Sequence, residues 1–309
     1  MDWLAWFIPQ TIAGITLGGV YALIALGYSL VYGVLRLINF AHGDVYMVGA
    51  VIAFWSAGWL GWSGSADHAL GAPVVGVMLF ISVVTCVALG YLIERFGYRP
   101  LRRAPRLNSL ITAIGISFLL ENVFQLPFAF GASPKGFPKV ELPQATISLG
   151  DHRVGVEQLL ILGGTLFFLL VCRYIILRTR MGLGIRATSF HHDHARLMGV
   201  NVNRITAFTF VLGSGLAAVA GVFVGLYQHS VDPLMGVAAG LKAFTAAVVG
   251  GIGNLSGAVL GGLIMGLSET YIAGSPWSNY RDAFAFGLLI VILLVRPGGL
   301  LGSVTSEKV

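Results

Sequence analysis

Residues 10–35 read QTIAGITLGGVYALIALGYSLVYGVL, twenty-six positions without a charge. A helix needs about 20 mostly apolar residues to cross the hydrocarbon core of a bilayer. This stretch alone therefore predicts a membrane span. Working outward, similar uncharged runs cover 45–66, 69–93, 205–228 and 243–268, and 107–131 is interrupted only by Glu121. Two shorter runs, 157–172 and 283–295, extend into interfacial residues. The expectation is an all-α, polytopic transmembrane helix bundle of eight or nine crossings. It forms one transmembrane domain over 1–309, with glycine-rich breaks near 250–257 that allow broken or re-entrant helices.

Composition agrees. The chain is 56% hydrophobic and 10% charged, with a mean hydropathy of +0.84. Soluble domains carry about 25% charged residues. The net charge of +6 does not point to nucleic acid, because the arginines flank apolar runs instead of alternating with exposed aromatics. Cys86 and Cys172 both lie in apolar runs and read as small buried hydrophobes. The opening MDWLAWFIPQ lacks the basic start of a signal peptide; its tryptophans suit a membrane interface.

Charge also predicts orientation. Arg95, Arg99, Arg102, Arg103 and Arg106 form one cluster, and Arg173, Arg178, Arg180, Arg186, Arg196 and Arg204 form another. Arg36, Arg296 and Lys308 extend this side, whereas Lys135, Lys139, Arg153 and Arg281 make up the poorer set. By the positive-inside rule both clusters are cytoplasmic, the N-terminus is outside and the C-terminus is inside. The stretch RTRMGLGIRATSFHHDHARLMGVNVNR (178–204) is then a long cytoplasmic loop. Loops of this length are commonly functional. Gly182, Gly184 and Gly199 punctuate it into one or two short helices. It reads as either a docking surface or a solvated linker.

Several stretches carry a resemblance. GGVYALIALGYSLVYGVLRLINFAHGDVYMVGA (18–50) resembles the N-terminal signature of branched-chain amino-acid ABC transporter permeases of the LivH type. RMGLGIRAT (180–188) with HARLMGVNVNRITAFTFVLGSGLAAVAGV (194–222) resembles their cytoplasmic loop and following helix. GLKAFTAAVVGGIGNLSGAVLGGLIMGLSE (240–269) and RPGGLLG (296–302) resemble their glycine-rich C-terminal element and closing turn. The matches run in order along nearly the whole chain. The resemblance implies an importer subunit in the bacterial inner membrane. It would work with a second homologous permease, two ABC ATPases and a periplasmic binding protein. This chain would bind no cofactor, with ATP and Mg held by the ATPases.

The resemblance makes 178–204 the ATPase-coupling segment, with Arg186, Asp193, Arg196, Leu197, Met198 and Gly199 as contact residues. One departure stands out. Many relatives carry a Gln-Asp or Glu-Asp pair where this chain has Phe190 and His191; Asp193 lies two residues on.

Other residues are weighed singly. No lysine follows a glycine, so no P-loop is present. Glu121 is costly in the membrane and serves either a path or gate or a structural hydrogen bond. Asn39, His42 and Asp44, in NFAHGD with its permissive Gly43, read as groups of a broken helix lining a cavity or as a capped turn. Gly250, Gly251 and Asn254, in VVGGIGNLSG, read as gating or packing. The small-xxx-small spacings at 14–18, 221–225, 257–261 and 262–266 read as helix packing. His191, His192 and His194 with Asp193 resemble a metal cluster, but zinc needs three or four well-placed ligands, and partner docking or plain solvation is the preferred reading. Lys242 is either a snorkelling lysine or a vestibule residue.

The alternatives are a permease for urea, short amides or aromatic acids, an ion-coupled secondary transporter, and an intramembrane enzyme using Ser214 and His229.

Overall fold

The computed structural model describes residues 3–64, 70–102, 104–141, 147–149 and 152–302. Arg103, Lys308 and the span ends at Ala66 and Ala69 lie outside the described residues. Among the described residues, eleven α-helices occur in order: α1 (Trp3–Leu35), α2 (His42–Trp59), α3 (Ala72–Leu92), α4 (Arg106–Gln125), α5 (Val156–Arg178), α6 (Arg180–Phe190), α7 (His192–Leu197), α8 (Val202–Gln228), α9 (Met235–Gly250), α10 (Leu255–Ala273) and α11 (Arg281–Val295).

Among the described residues, seven segments are long and apolar enough to cross a bilayer: α1, α3 with its continuation, α4, α5, α8, α10 and α11 with its preceding turn. The shorter α2 and α9 run between them. The sequence expectation needs correction in two places. The run 243–268 is not one span: α9 ends at Gly250 and α10 begins at Leu255. The run 45–66 is displaced, because the polar His42 and Asp44 belong to the first turn of α2, which stops at Trp59.

Local chemistry sets several boundaries. The side chains of Thr179, Asn201 and Asn254 accept hydrogen bonds from the first turns of α6, α8 and α10. Each satisfies a helix N–H that would otherwise lack a partner. Among the described residues, sheet structure is confined to three two-stranded pairings. One ties Lys135–Gly136 to Ser230–Val231 at the turn between α8 and α9.

The two ends of the chain are related by inversion. A long buried helix (α1, α8) is followed by a six-residue turn, a shorter helix (α2, α9) and two further helices (α3 and α4, α10 and α11). The two sets run antiparallel. The turns after α1 and α8 open with Arg36 (φ 55°) and His229 (φ 52°), the only non-glycine residues with positive φ among those described. Packing repeats as well: α1 lies against α10 and α9, as α8 lies against α3 and α2. The first turns of α2 and α9 meet backbone to backbone at Gly43 and Gly236.

Glycine allows the tightest of these approaches. Gly14 and Gly18 of α1 face Gly262, Leu263, Gly266 and Leu267 of α10, leaving no room for a side chain at Gly18 or Gly266. Lipid supplies little hydrophobic drive for helix association, so close backbone packing is what holds such pairs. The outer helices α4 and α11 bury few residues, with Phe118, Leu119, Ile290 and Leu294 on the surface. In water such continuous apolar faces would aggregate. In a bilayer they meet acyl chains or another membrane subunit.

Candidate functional site

The polar groups of NFAHGD lie inside the bundle. His42 packs against Gly27, eight residues before the end of α1, or about 12 Å along that helix at 1.5 Å per residue. Its ring is 4.8 Å from that of Tyr28, edge to face. The buried Asn39 accepts a 2.9 Å hydrogen bond from the Tyr98 hydroxyl. Asp44 is 2% exposed. Its carboxylate accepts from the Ser117 hydroxyl of α4, which also lies 3.4 Å from Glu121 Oε1. A serine hydroxyl has one hydrogen to give, and two carboxyl groups claim it. Ser117 was not picked out by sequence reading; its only signal is spacing, four residues before Glu121.

The structure brings Asn39, His42, Asp44 and Glu121 into one neighbourhood but keeps Gly250, Gly251 and Asn254 apart from it. Those three form the α9–α10 turn at the arginine-rich end. Asn254 Nδ2 donates to Leu301 O at 2.7 Å, and Leu300 N and Leu301 N donate to Val249 O and Gly250 O at 2.9 and 3.0 Å. The turn thus clasps the RPGGLLG segment. Beside it opens a cavity of about 750 Å³ lined by Ser29, Arg36, Arg186, Ser189 and Asn254, among others.

The segment 178–204 folds as α6 and α7. Ile185 is buried with Val34 of α1 and Ile205 of α8, which fixes α6 to the bundle. Arg36 Nη2 donates to Ser189 O at 2.9 Å. Gly199, at φ 82°, makes the turn after α7. Arg186, Asp193 and Arg196 are exposed. Phe190, Leu197 and Met198 are 89%, 84% and 85% exposed, an unusual state for apolar side chains at a wet helix end. The sequence singled out Leu197 and Met198 but treated Phe190 only as a departure. Its apolar character within SFHHDHA was the available signal. His191 caps α7 and stacks on His194, with ring centroids 3.9 Å apart. Burial, aided by Arg196, Arg102 and Arg36 and opposed by Asp193, holds the His192 imidazole below its ordinary pKa.

Lys242 is neither a snorkelling nor an open vestibule residue. Its Nζ is buried, 2.6 Å from Glu269 Oε1 on α10 and 2.8 Å from Asp282 Oδ1 on α11. Tyr21 of α1 donates to the other Glu269 oxygen at 2.8 Å. Four helices thus meet in one cluster around the Lys242–Glu269 pair. Glu269 was missed in sequence, although it is the acid that ends the 243–268 run. A second buried pair joins Glu94 to Arg102. The enzyme alternative loses its geometry: Ser214 and His229 are fifteen residues apart around the end of α8, about 22 Å by helical rise.

Comparisons with known proteins place this arrangement. Residues 10–293 match the family model described as branched-chain amino acid transport system / permease component. The chain is 42% identical to the high-affinity branched-chain amino acid transport system permease protein BraD of Pseudomonas aeruginosa, over 98% of each chain. It is 39% identical to LivH of Escherichia coli K12, described in the same terms, again over 98% of each. A ribose import permease of Haemophilus influenzae, RbsC, matches at 32% over 40% of this chain and 41% of its own. With a bundle of membrane-length helices matched almost from end to end, this chain belongs to the family of permease components of branched-chain amino acid transport systems.

Proposed function

We propose that this chain is the membrane-spanning permease subunit of an ATP-driven ABC importer for branched-chain amino acids in the bacterial inner membrane. The observation that carries this reading is the 42% identity to BraD over 98% of both chains. The chain forms the path with a second homologous permease. Two ABC ATPases supply the energy and hold ATP and Mg. A periplasmic binding protein delivers the substrate.

Within this reading, α6 and α7 are the coupling segment. Phe190, Leu197 and Met198 provide apolar contact, and Arg186, Asp193 and Arg196 form the polar rim that interfaces commonly have. Replacing Leu197 and Met198 together with aspartate is expected to release the ATPase, or to uncouple hydrolysis from uptake, while the permease still inserts. Pull-down of the ATPase and leucine uptake in vesicles measure this. Full complex and full uptake would remove the segment from coupling. Uptake driven by a proton gradient without ATP would overturn the importer reading; uptake of urea or short amides in place of leucine would change the substrate class.

The N-terminus lies outside and the arginine-rich end faces the cytoplasm. A thiol at Ser189 is then shielded from an impermeant reagent in intact cells, whereas one at Lys139 reacts. The reverse pattern would invert the orientation.

Asn39, His42, Asp44 and Glu121 serve the path. The carboxyl groups around Ser117 suit the ammonium end of an amino acid. Glu121→Gln keeps the shape but removes the charge. A hydrogen bond to a charged group contributes about 1.5–3 kcal/mol, so leucine uptake at low concentration falls by roughly tenfold or more. Normal uptake by an assembled variant would leave Glu121 a structural role only.

A further inference from the structure

The end of α3 is not an ordinary helix end. Ile93–Tyr98 is a π-helical turn, closed by a bond from Arg99 N to Glu94 O at 2.8 Å. Such turns hold one extra residue, are uncommon, and are frequent at functional sites. This one carries two buried polar side chains that reach opposite neighbours. Glu94, 1% exposed, pairs with Arg102. The same guanidinium donates to Asn203, in the first turn of α8, directly after α6 and α7. Four residues beyond Glu94, the buried Tyr98 donates to Asn39 at the head of the NFAHGD stretch. The Tyr98 ring also lies 5.0 Å from that of Phe210 on α8.

A continuous path therefore runs from Asn203 through Arg102 to Glu94, along the backbone of the π-turn to Tyr98, and on to Asn39. The surroundings leave room for movement. A cavity of about 200 Å³ separates the turn from α7, with Tyr98, Arg102, Ser109, His192, Arg196 and Thr206 among its lining residues. Arg102 Nε is buried without a hydrogen-bond partner among the described residues. A π-turn also has an obvious second state. Expelling the extra residue restores an α-helix and rotates the chain beyond the turn by about 100°, the angle per residue of a helix with 3.6 residues per turn. That rotation would pull Tyr98 away from Asn39. Coupling between distant sites needs such an element with two arrangements that both sites bias.

We propose that the π-turn Ile93–Tyr98 is the transmission element that carries movement of α6 and α7 to the Asn39–Asp44 stretch, with Arg102 and Tyr98 as its positioning residues. This rests on the reading of α6 and α7 as the ATPase-facing segment. The chain of bonds acts in both directions. Nucleotide-driven movement of α7 and Asn203 changes the Arg102 contact and the turn. Opening of the path at Asn39 feeds back through Tyr98.

The test uses the complete transporter, with ATPases, second permease and binding protein, reconstituted in liposomes. Tyr98→Phe keeps the ring on Phe210 and removes only the hydroxyl bonded to Asn39. The double variant Glu94→Gln with Arg102→Gln removes both charges together and leaves no buried ion unpaired. Both are expected to assemble and to hydrolyse ATP at the basal wild-type rate. The ATP consumed per leucine imported is expected to rise about tenfold, and stimulation of the ATPase by loaded binding protein to fall to a similar degree. In a double-mutant cycle, Tyr98→Phe with Asn39→Ala is expected to be no worse than the more severe single change, because both act through one bond. A wild-type ATP-to-leucine ratio in Tyr98→Phe, or additive effects in the cycle, would overturn the proposal; if the charge-free double variant fails to fold, Tyr98→Phe and the cycle decide. A wild-type complex whose uptake ignores ATP would instead overturn the importer reading, before any variant is compared.

Discussion

Lys242→Met is expected to destabilise this protein strongly. The Lys242 and Glu269 side chains are 9% and 8% exposed, whereas Asp282 is 61% exposed. Deleting the ammonium leaves the Glu269 carboxylate buried with only the Tyr21 hydroxyl. Removing one member of a buried pair costs about 3–5 kcal/mol, mainly because the partner keeps a charge that it can no longer satisfy. Asp282 can turn to water, so Asp282→Asn is expected to cost far less. Lys242→Met combined with Glu269→Gln should recover most of the loss, since no buried ion remains and Gln can still accept from Tyr21. Thermal unfolding of the purified permease in detergent would show this order. Wild-type stability of the Lys242→Met single variant would mean that the four-helix junction does not depend on its ion pairs.

Gly251→Val should come close to abolishing folded permease. Gly251 sits at φ 109° and ψ 95°, where a β-branched side chain is strained by about 1–3 kcal/mol. There is also no room. A side-chain carbon at this position would lie 2.8 Å from Gly302 Cα and 3.2 Å from Gly298 O, and closer still to Gly302 N. The RPGGLLG segment would have to leave the turn. That would break the bonds from Leu300, Leu301 and Asn254, worth about 1 kcal/mol net each. Gly253 is the control. It too has a positive φ, 89°, but the nearest atoms to an added carbon are 4.0 Å away. Gly253→Ala should therefore show the conformational cost without the clash. Membrane yield and leucine uptake compare the two. Equal behaviour at both positions would show that the clasp around the turn contributes nothing.

The segment 178–204 shows how far sequence reaches at the arginine-rich end. Its glycines announced short helices, and α6 and α7 formed, with Thr179 as the N-cap of α6. That Phe190 joins Leu197 and Met198 in being exposed depends on how α6 is anchored by Ile185 against Val34 and Ile205. Those three residues lie on three different helices.

The membrane class, the bundle, most span positions and the family signatures were fixed by local sequence. Solvent decides them: an uncharged run of twenty residues has few options outside a bilayer, and the side chains of Thr179, Asn201 and Asn254 cap the helices that follow them. Tertiary structure alone decided which helix faces which. In lipid a helix is apolar on every side, so no amphipathic stripe marks the inward face as it does in water. The inverted relation of α1–α4 to α8–α11 was invisible for that reason, as was the union of Lys242, Glu269, Asp282 and Tyr21 from four helices. Asp44 and Glu121 were legible as costly polar groups in apolar surroundings. That they share one serine hydroxyl, while Gly250, Gly251 and Asn254 clasp the chain at the arginine-rich end, was set by the packing of α2 on α4 and of α9 on α10.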